Sequence, residues 1–266
     1  MNAHTITQVQ ATLGKIMIYP IKSLDGVYVN RAKISTGGAL EFDRRWAIID
    51  EQGKIVNAKR TAKIQRLRSQ FDLELGLVSL QSFGQNSMET FCLTRGSIDL
   101  VHWLSEFFGF RITIIENRTT GFPDDLAAYG PTLISLATLE MICTWFPELD
   151  INEVRRRFRT NLELTGVEAF WEDRLFSNPE SVVNFQLGDV EFTGINPCQR
   201  CIVPTRNSQT GVIYSNFQKI FNQQRQQTFP TWVNPARFNH FYRLAVNTQI
   251  PLVDTGKFLN TGDILS

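Results

Sequence analysis

Apolar and polar positions change rhythm several times along the chain. Over roughly the first third they favour strands. Gly14 to Tyr19 is a short apolar run closed by Pro20, and Val27 to Ile34 alternates loosely before Gly37-Gly38. Arg45 to Asp50 leads into Glu51-Gln52-Gly53, a good hairpin turn, and then Lys54-Ile55-Val56. Apolar positions alternate from Phe71 to Ser82, Gly84 to Ser87 reads as a turn, and Glu89 to Thr94 as another strand. Short strands at this spacing predict a barrel or sandwich.

The period then shifts. Leu100, Val101, Leu104, Phe107 and Phe108 fall at helical spacing behind Ser97, which suits an N-cap. Arg111 to Glu116 returns to strand. Asn117 to Asp125, with Gly121 and Pro123, is the best linker or loop. Ser135 caps a helix that ends at Pro147, and Asp150 with Glu153 resembles a capping box for a helix from Ile151 to Arg157. Strands are predicted at Asn161 to Thr165, Asn184 to Leu187, Val190 to Gly194, Leu244 to Asn247 and Gly262 to Leu265. One more helix is marked by Phe217, Ile220 and Phe221. There is no internal repeat.

The 266 residues allow one or two domains and need no disulfide or metal to fold. With 27 Lys or Arg against 26 Asp or Glu, the net charge of +1 gives no basic excess of the kind a nucleic-acid binder shows. Met1 to Ala11 lacks the apolar core of a signal peptide, and no run approaches the ~20 apolar residues that span a bilayer. The expectation is a cytoplasmic protein with reduced thiols, working without nucleic acid or membrane.

The strongest local feature is Asn196-Pro197-Cys198-Gln199-Arg200-Cys201. One CxxC pair does not complete a zinc site, and Cys92 and Cys143 sit in apolar periodic segments that read as core. Pro204 argues against the long helix of a thioredoxin-like motif. Arg200 and Arg206 flank the pair, and nearby cations favour the thiolate, which is both nucleophile and soft metal ligand. Lys22-Ser23 lies in a turn after a strand, where an ammonium, a hydroxyl and a backbone N–H can converge on an anion. Arg44-Arg45 is a second basic pair. Arg155-Arg156-Arg157 with Arg159 is expected to be the solvated face of its helix. His4, His102 and His240 show no metal-ligand spacing.

Four ordered motifs carry a family resemblance. Tyr19-Pro20-Ile21-Lys22-Ser23, Asp43-Arg44-Arg45-Trp46, Phe158-Arg159-Thr160-Asn161 and the CxxC hexapeptide resemble the signatures of the MOSC family. More narrowly they resemble the subgroup with an N-terminal β-barrel domain, to which the amidoxime-reducing proteins belong. The match runs from about residue 12 to residue 266. The resemblance implies a mixed, mainly β fold. An N-terminal MOSC-type β-barrel domain over residues 12–125 would pack on a C-terminal MOSC β-barrel over 126–266, with several peripheral helices. It also implies a molybdenum cofactor of the molybdopterin form, with Cys201 as metal ligand and catalytic residue. Lys22, Ser23 and Arg44 would hold the pterin phosphate, and Arg159, Asn161 and Arg200 would complete the cofactor site. The implied activity is reduction of a small N-hydroxylated substrate with electrons from a separate electron-transfer protein, since the chain carries no ferredoxin-type cysteine set for an iron–sulfur cluster. The alternative is a sulfur or cofactor carrier that takes a persulfide on Cys201 from a pyridoxal-phosphate-dependent desulfurase. Pyridoxal phosphate binding itself is a family-level association.

Overall fold

A computed structural model describes residues 10–93, 97–179 and 181–266. Thr94, at the end of one predicted strand, and His4 lie outside them. The described residues form fourteen strands and four α-helices, so the fold is mainly β. In chain order the first elements are β1 (Thr12–Ile18), β2 (Val27–Val29), β3 (Arg31–Lys33), β4 (Trp46–Asp50), β5 (Leu67–Asp72), β6 (Leu77–Ser82) and β7 (Glu89–Cys92). Next come α1 (Ile98–Phe108), β8 (Ile112–Glu116), β9 (Leu133–Ser135), α2 (Leu136–Trp145), α3 (Ile151–Phe158) and β10 (Leu162–Thr165). The last are β11 (Val183–Leu187), β12 (Val190–Gln199), α4 (Phe217–Gln227), β13 (Arg243–Gln249) and β14 (Phe258–Asn260).

Several starts and stops follow from local chemistry. Ser97, Ser135 and Asp150 each accept a backbone N–H of the first helical turn, as N-caps do. Only half of the expected capping box forms. Asp150 takes the Glu153 N–H at 2.7 Å, but the Glu153 carboxylate turns to Arg156, Arg157 and Ser208 instead. The alternation from Phe71 to Ser82 is interrupted by a hairpin turn. Asp72 Oδ1 accepts from the N–H groups of Glu74 at 3.1 Å and Leu75 at 2.9 Å, and Gly76 supplies a φ of +66°. β5 and β6 therefore pair antiparallel, Leu67 with Ser82 through Asp72 with Leu77. Lys54 to Val56 and Gly262 to Leu265 do not form strands of their own; they supply the isolated bridges Ile49–Ile55 and Leu187–Leu265. β12 runs on through Pro197 to Gln199, longer than expected, and delivers the cysteine pair at its end.

The largest sheet has the order β11-β12-β13-β9-β10-β1-β2. Only β9 and β10 are parallel. Two N-terminal strands thus complete a sheet otherwise built from the C-terminal half, and β3 pairs with β14 near the other end of the chain. β4–β8 and β5–β6–β7 form smaller sheets. Apolar side chains fill three cores. One lies on the large sheet around Leu13, Leu162 and Phe192, one joins the smaller sheets to α1 around Ile48, Val78 and Leu104, and one lies under α2, α3 and α4. In the third, the Phe146 and Phe217 rings stack 4.2 Å apart. Burying each such side chain contributes about 1.5–3 kcal/mol.

A buried acid adjoins this third core. Glu172 is 1% exposed; Thr138 Oγ1 donates to its Oε2 at 3.0 Å, and its Oε1 is buried without a partner. Burial, reinforced by the neighbouring Asp173, pushes the Glu172 carboxyl up to about 7 from 4.5. Between those values the unfolded chain releases this proton while the folded chain keeps it. The stabilising contribution is full below 4.5 and is lost as pH rises through about 7, roughly 3 kcal/mol in all. Glu172→Gln keeps an acceptor for Thr138 and removes the titration. Thermal melts at pH 5 and pH 8 should show a fall in the native protein that the Gln variant largely lacks; equal falls would refute this.

Candidate functional site

A cleft of about 860 Å³ lies where the loops after β1, β3 and β8 meet the end of α3 and the end of β12. All seven residues singled out in the sequence line it: Lys22, Ser23, Arg44, Arg159, Asn161, Arg200 and Cys201. They come from four distant segments, so only the fold brings them together.

The cationic end of the cleft is built on unusual backbone. Ser23, Arg44 and Arg159 have φ of +74°, +49° and +55°, a region costly for residues with a Cβ and frequent at functional sites. Arg159 is the left-handed C-cap of α3, which turns its side chain back into the cleft. The guanidiniums of Arg159 and Arg44 lie 4.2 Å and 5.1 Å from the ring centre of Tyr19. Arg44 Nη1 donates to Asp43 and, at 3.2 Å, to Asn161 Oδ1; its Nη2 donates to the Arg159 carbonyl at 3.2 Å. Burial lowers the Arg159 pKa, and its Nη2 is buried with no partner. Burial opposes the charge on Arg44 most strongly, but Asp43, Tyr19 and Asp124 together outweigh it and the net shift is upward.

Lys22 Nζ donates to Phe122 O at 2.7 Å and Asp124 Oδ1 at 2.6 Å. Burial pushes the Lys22 pKa down against Asp124. Burial would raise the Asp124 pKa, but Lys22, Lys59 and Arg44 together hold its carboxyl well below the usual range. Gly121, at φ +64°, brings this loop against Asp43; a Cβ there would meet the Asp43 carbonyl at 2.4 Å. Ser23 Oγ accepts from the Ala58 N–H at 3.2 Å, leaving its proton to donate. Asn161 is 2% exposed. Its Oδ1 takes bonds from Arg44 and from Thr132, and its Nδ2 donates to Met17 O at 3.0 Å. It fixes Arg44 against β1 and β9, so its clearest task is positioning.

At the thiol end, Arg200 Nη1 donates to Cys198 Sγ at 3.2 Å and its Nη2 to Phe158 O. The Val203 N–H points at Cys201 Sγ at 3.5 Å. Arg206, expected to flank the thiols, instead reaches Ala58 O at 2.5 Å and ties the two halves of the cleft. The arginines of α3 are not a solvated face. Arg155 makes a two-bond pair with Glu163 at 2.8 Å, and Arg157, 3% exposed, binds Glu153. Their charges pair because α3 packs its polar side against β10 and the segment after the cysteines. Cys92 and Cys143 are half-buried and outside the cleft lining. His102 pairs with Glu106 on α1, and among the described residues no three His, Cys, Asp or Glu side chains could hold a bare metal ion.

Lys59, Asp124, Arg237 and Arg243 also line the cleft without having been marked as site residues in the sequence. None sits in a motif; only Asp124 lay in a segment singled out, as part of the predicted loop.

Two family models match the chain, the MOSC N-terminal beta barrel domain over residues 10–109 and the MOSC domain over residues 132–256. The chain belongs to the MOSC-domain proteins that carry the N-terminal MOSC domain. It is 22% identical over 275 residues to the molybdenum cofactor sulfurase of Bos taurus, covering 85% of this chain and 30% of that protein. It is 24% identical over 244 residues to the mitochondrial amidoxime reducing component 2 of Homo sapiens, covering 76% and 68%. With the human mitochondrial amidoxime-reducing component 1 it shares 24% over 246 residues, covering 78% and 70%. The chain thus spans about 30% of the length of the sulfurases it matches. The MOSC domain and these relatives associate the chain with the molybdenum cofactor. Among the described residues, no helix is long and apolar enough to cross a membrane.

Proposed function

We propose that the cleft holds a molybdenum cofactor between its two ends and uses it to reduce small N-hydroxylated compounds. The observation that carries this reading is the convergence, in one cleft, of a soft sulfur donor with an anion-binding corner. That corner includes the orphaned, buried Arg159 Nη2. The residues fit such a group. Lys22, Ser23, Arg44 and Arg159 offer donors to a phosphate, Cys201 offers a thiolate to a soft metal, and the volume suits a cofactor-sized ligand. When bound, the cofactor supplies a metal that passes two electrons to the substrate. The reaction breaks the N–O bond, and with two electrons and two protons it yields the N–H compound and water. The electrons come from a separate protein donor. This chain's part is to anchor the phosphate, to hold Cys201 at the end of β12, and to keep the thiols beside a fixed cation, Arg200. Protein loaded with cofactor should convert benzamidoxime to benzamidine when given reduced viologen; no turnover by fully loaded protein would refute the reductase reading.

Two thiols in the cleft and the sulfurases among the relatives favour a second reading, a carrier that receives a persulfide on Cys201 from a desulfurase. A persulfide on Cys201 in molybdenum-free protein would support it.

The phosphate corner has its own test. Arg44→Ala removes a charge-assisted contact worth about 1.5–3 kcal/mol, or roughly a 10–150-fold loss of cofactor affinity. Arg44→Lys keeps the charge without the forked donors and should fall between. Molybdenum retained per chain after dialysis reads the effect, with circular dichroism as folding control. Full retention by Arg44→Ala would mean that Arg44 only serves Asp43 and Asn161.

A further inference from the structure

Ten Lys or Arg side chains line the cleft against four Asp, so it is strongly cationic. The balance is uneven along its length. At the phosphate end the carboxylates are already in place, since Asp43 meets Arg44 and Asp124 meets both Lys22 and Lys59. At the thiol end Arg200, Arg237 and Arg243 make no ion pair with any carboxylate among the described residues. Their bonds go to neutral acceptors. Arg237 Nη2 donates to Ile195 O, Arg243 Nη1 to Pro197 O at 2.9 Å and Arg243 Nη2 to Asn239 Oδ1 at 2.8 Å. Arg243 Nε is buried without a partner, and the remaining N–H groups of Arg237 have none among the described residues. A buried guanidinium N–H without a partner is costly, and an anionic ligand that reaches Arg243 Nε removes that cost. Arg200 bonds Cys198 of the thiol pair. Arg237 and Arg243 sit against β12 at Ile195 and Pro197; beside them at Asn196, the Asp125 carboxylate accepts from Asn247 rather than from either arginine.

We propose that Arg237 and Arg243 form an anion subsite at the thiol end of the cleft, selecting substrates that carry a carboxylate. The substrate class, an N-hydroxylated compound with an acidic group, rests on the reductase reading; the anion subsite itself does not. The bland role of both arginines is to pin β12 through Ile195 and Pro197, and that role is blind to ligand charge.

The experiment measures binding by calorimetry to the molybdenum-loaded protein, using 4-carboxybenzamidoxime and neutral benzamidoxime. The carboxylate compound should bind about tenfold or more tightly, since charge-assisted bonds are the strong ones. The preference should shrink in high salt. Arg243→Gln and Arg237→Gln should each lower the ratio of the two dissociation constants several-fold, and Arg243→Lys should keep much of it. Turnover is followed in parallel. Tighter binding of the acid without reduction of either compound would support the subsite and overturn the reductase reading. Reduction of both compounds with equal affinity would keep that reading and overturn the subsite. If Arg243→Gln fails to fold, Arg237→Gln alone decides, and an unchanged ratio in it overturns the proposal.

Discussion

Serine in place of Cys201 should leave a folded protein that retains no molybdenum and shows no reductase activity, while Cys198→Ser should be milder. A serine hydroxyl is a harder donor than a thiolate and stays protonated at neutral pH, so it cannot replace a soft ligand. The substitution is almost isosteric. Cys201 Sγ receives one long contact from the Val203 N–H, which a hydroxyl oxygen can also accept, so stability should change little. Cys198 also lines the cleft and bonds Arg200, and its loss should perturb that guanidinium without removing the ligand. Metal analysis and activity on matched preparations check this. Equal molybdenum content in the native protein and Cys201→Ser would overturn the ligand assignment.

The second large effect is structural. Arg225→Met should cost about 3–5 kcal/mol, a large share of the ~5–15 kcal/mol that stabilises a typical domain. Arg225 is 1% exposed; it donates to the buried Asp173 carboxylate, and its guanidinium lies 4.0 Å from the ring centre of Phe170. Without it Asp173 is a buried charge with no partner. Burial already pushes the Asp173 pKa up against the opposing pull of Arg225, so the variant should lose most stability at high pH, where protonation cannot relieve the charge. Adding Asp173→Asn should recover much of the loss, because replacing both members of a buried pair is far less harmful than removing one. Urea midpoints of the single and double variants read this. A loss below about 1 kcal/mol for Arg225→Met would show that the pair is not buried as described.

Strand rhythm and helix caps carried most of the elements, since each depends on a few adjacent residues. Ser97, Ser135 and Asp150 announce their helices because a short polar side chain is the group that takes an orphan N–H. The hairpin at Asp72 to Gly76 was hidden because Phe71, Leu73, Leu75 and Leu77 continue one apolar alternation through the turn, whereas the buried positions shift from Leu67 and Ser69 on β5 to Val78 and Leu80 on β6. Pairing between β1 and β10, residues about 150 apart, has no local signature at all. The seven candidate site residues were legible as ordered motifs, and the fold gathers them around one cleft. Their electrostatic partners were not legible. Asp124 on Lys22, Glu163 on Arg155, and Arg237 and Arg243 beside the thiols meet their partners only through the fold. A charge run looks the same in sequence whether solvent or a carboxylate from a packed neighbour meets it.

A molybdenum cofactor held in this cleft through Cys201 and the phosphate corner should stay with the protein through purification. Molybdenum and pterin content, measured together on protein purified from cells that supply other molybdenum enzymes, tests it most directly. About one of each per chain is expected, falling sharply in Arg44→Ala and to background metal in Cys201→Ser. Native protein that carries neither, while the same cells load their other molybdenum enzymes, would contradict it.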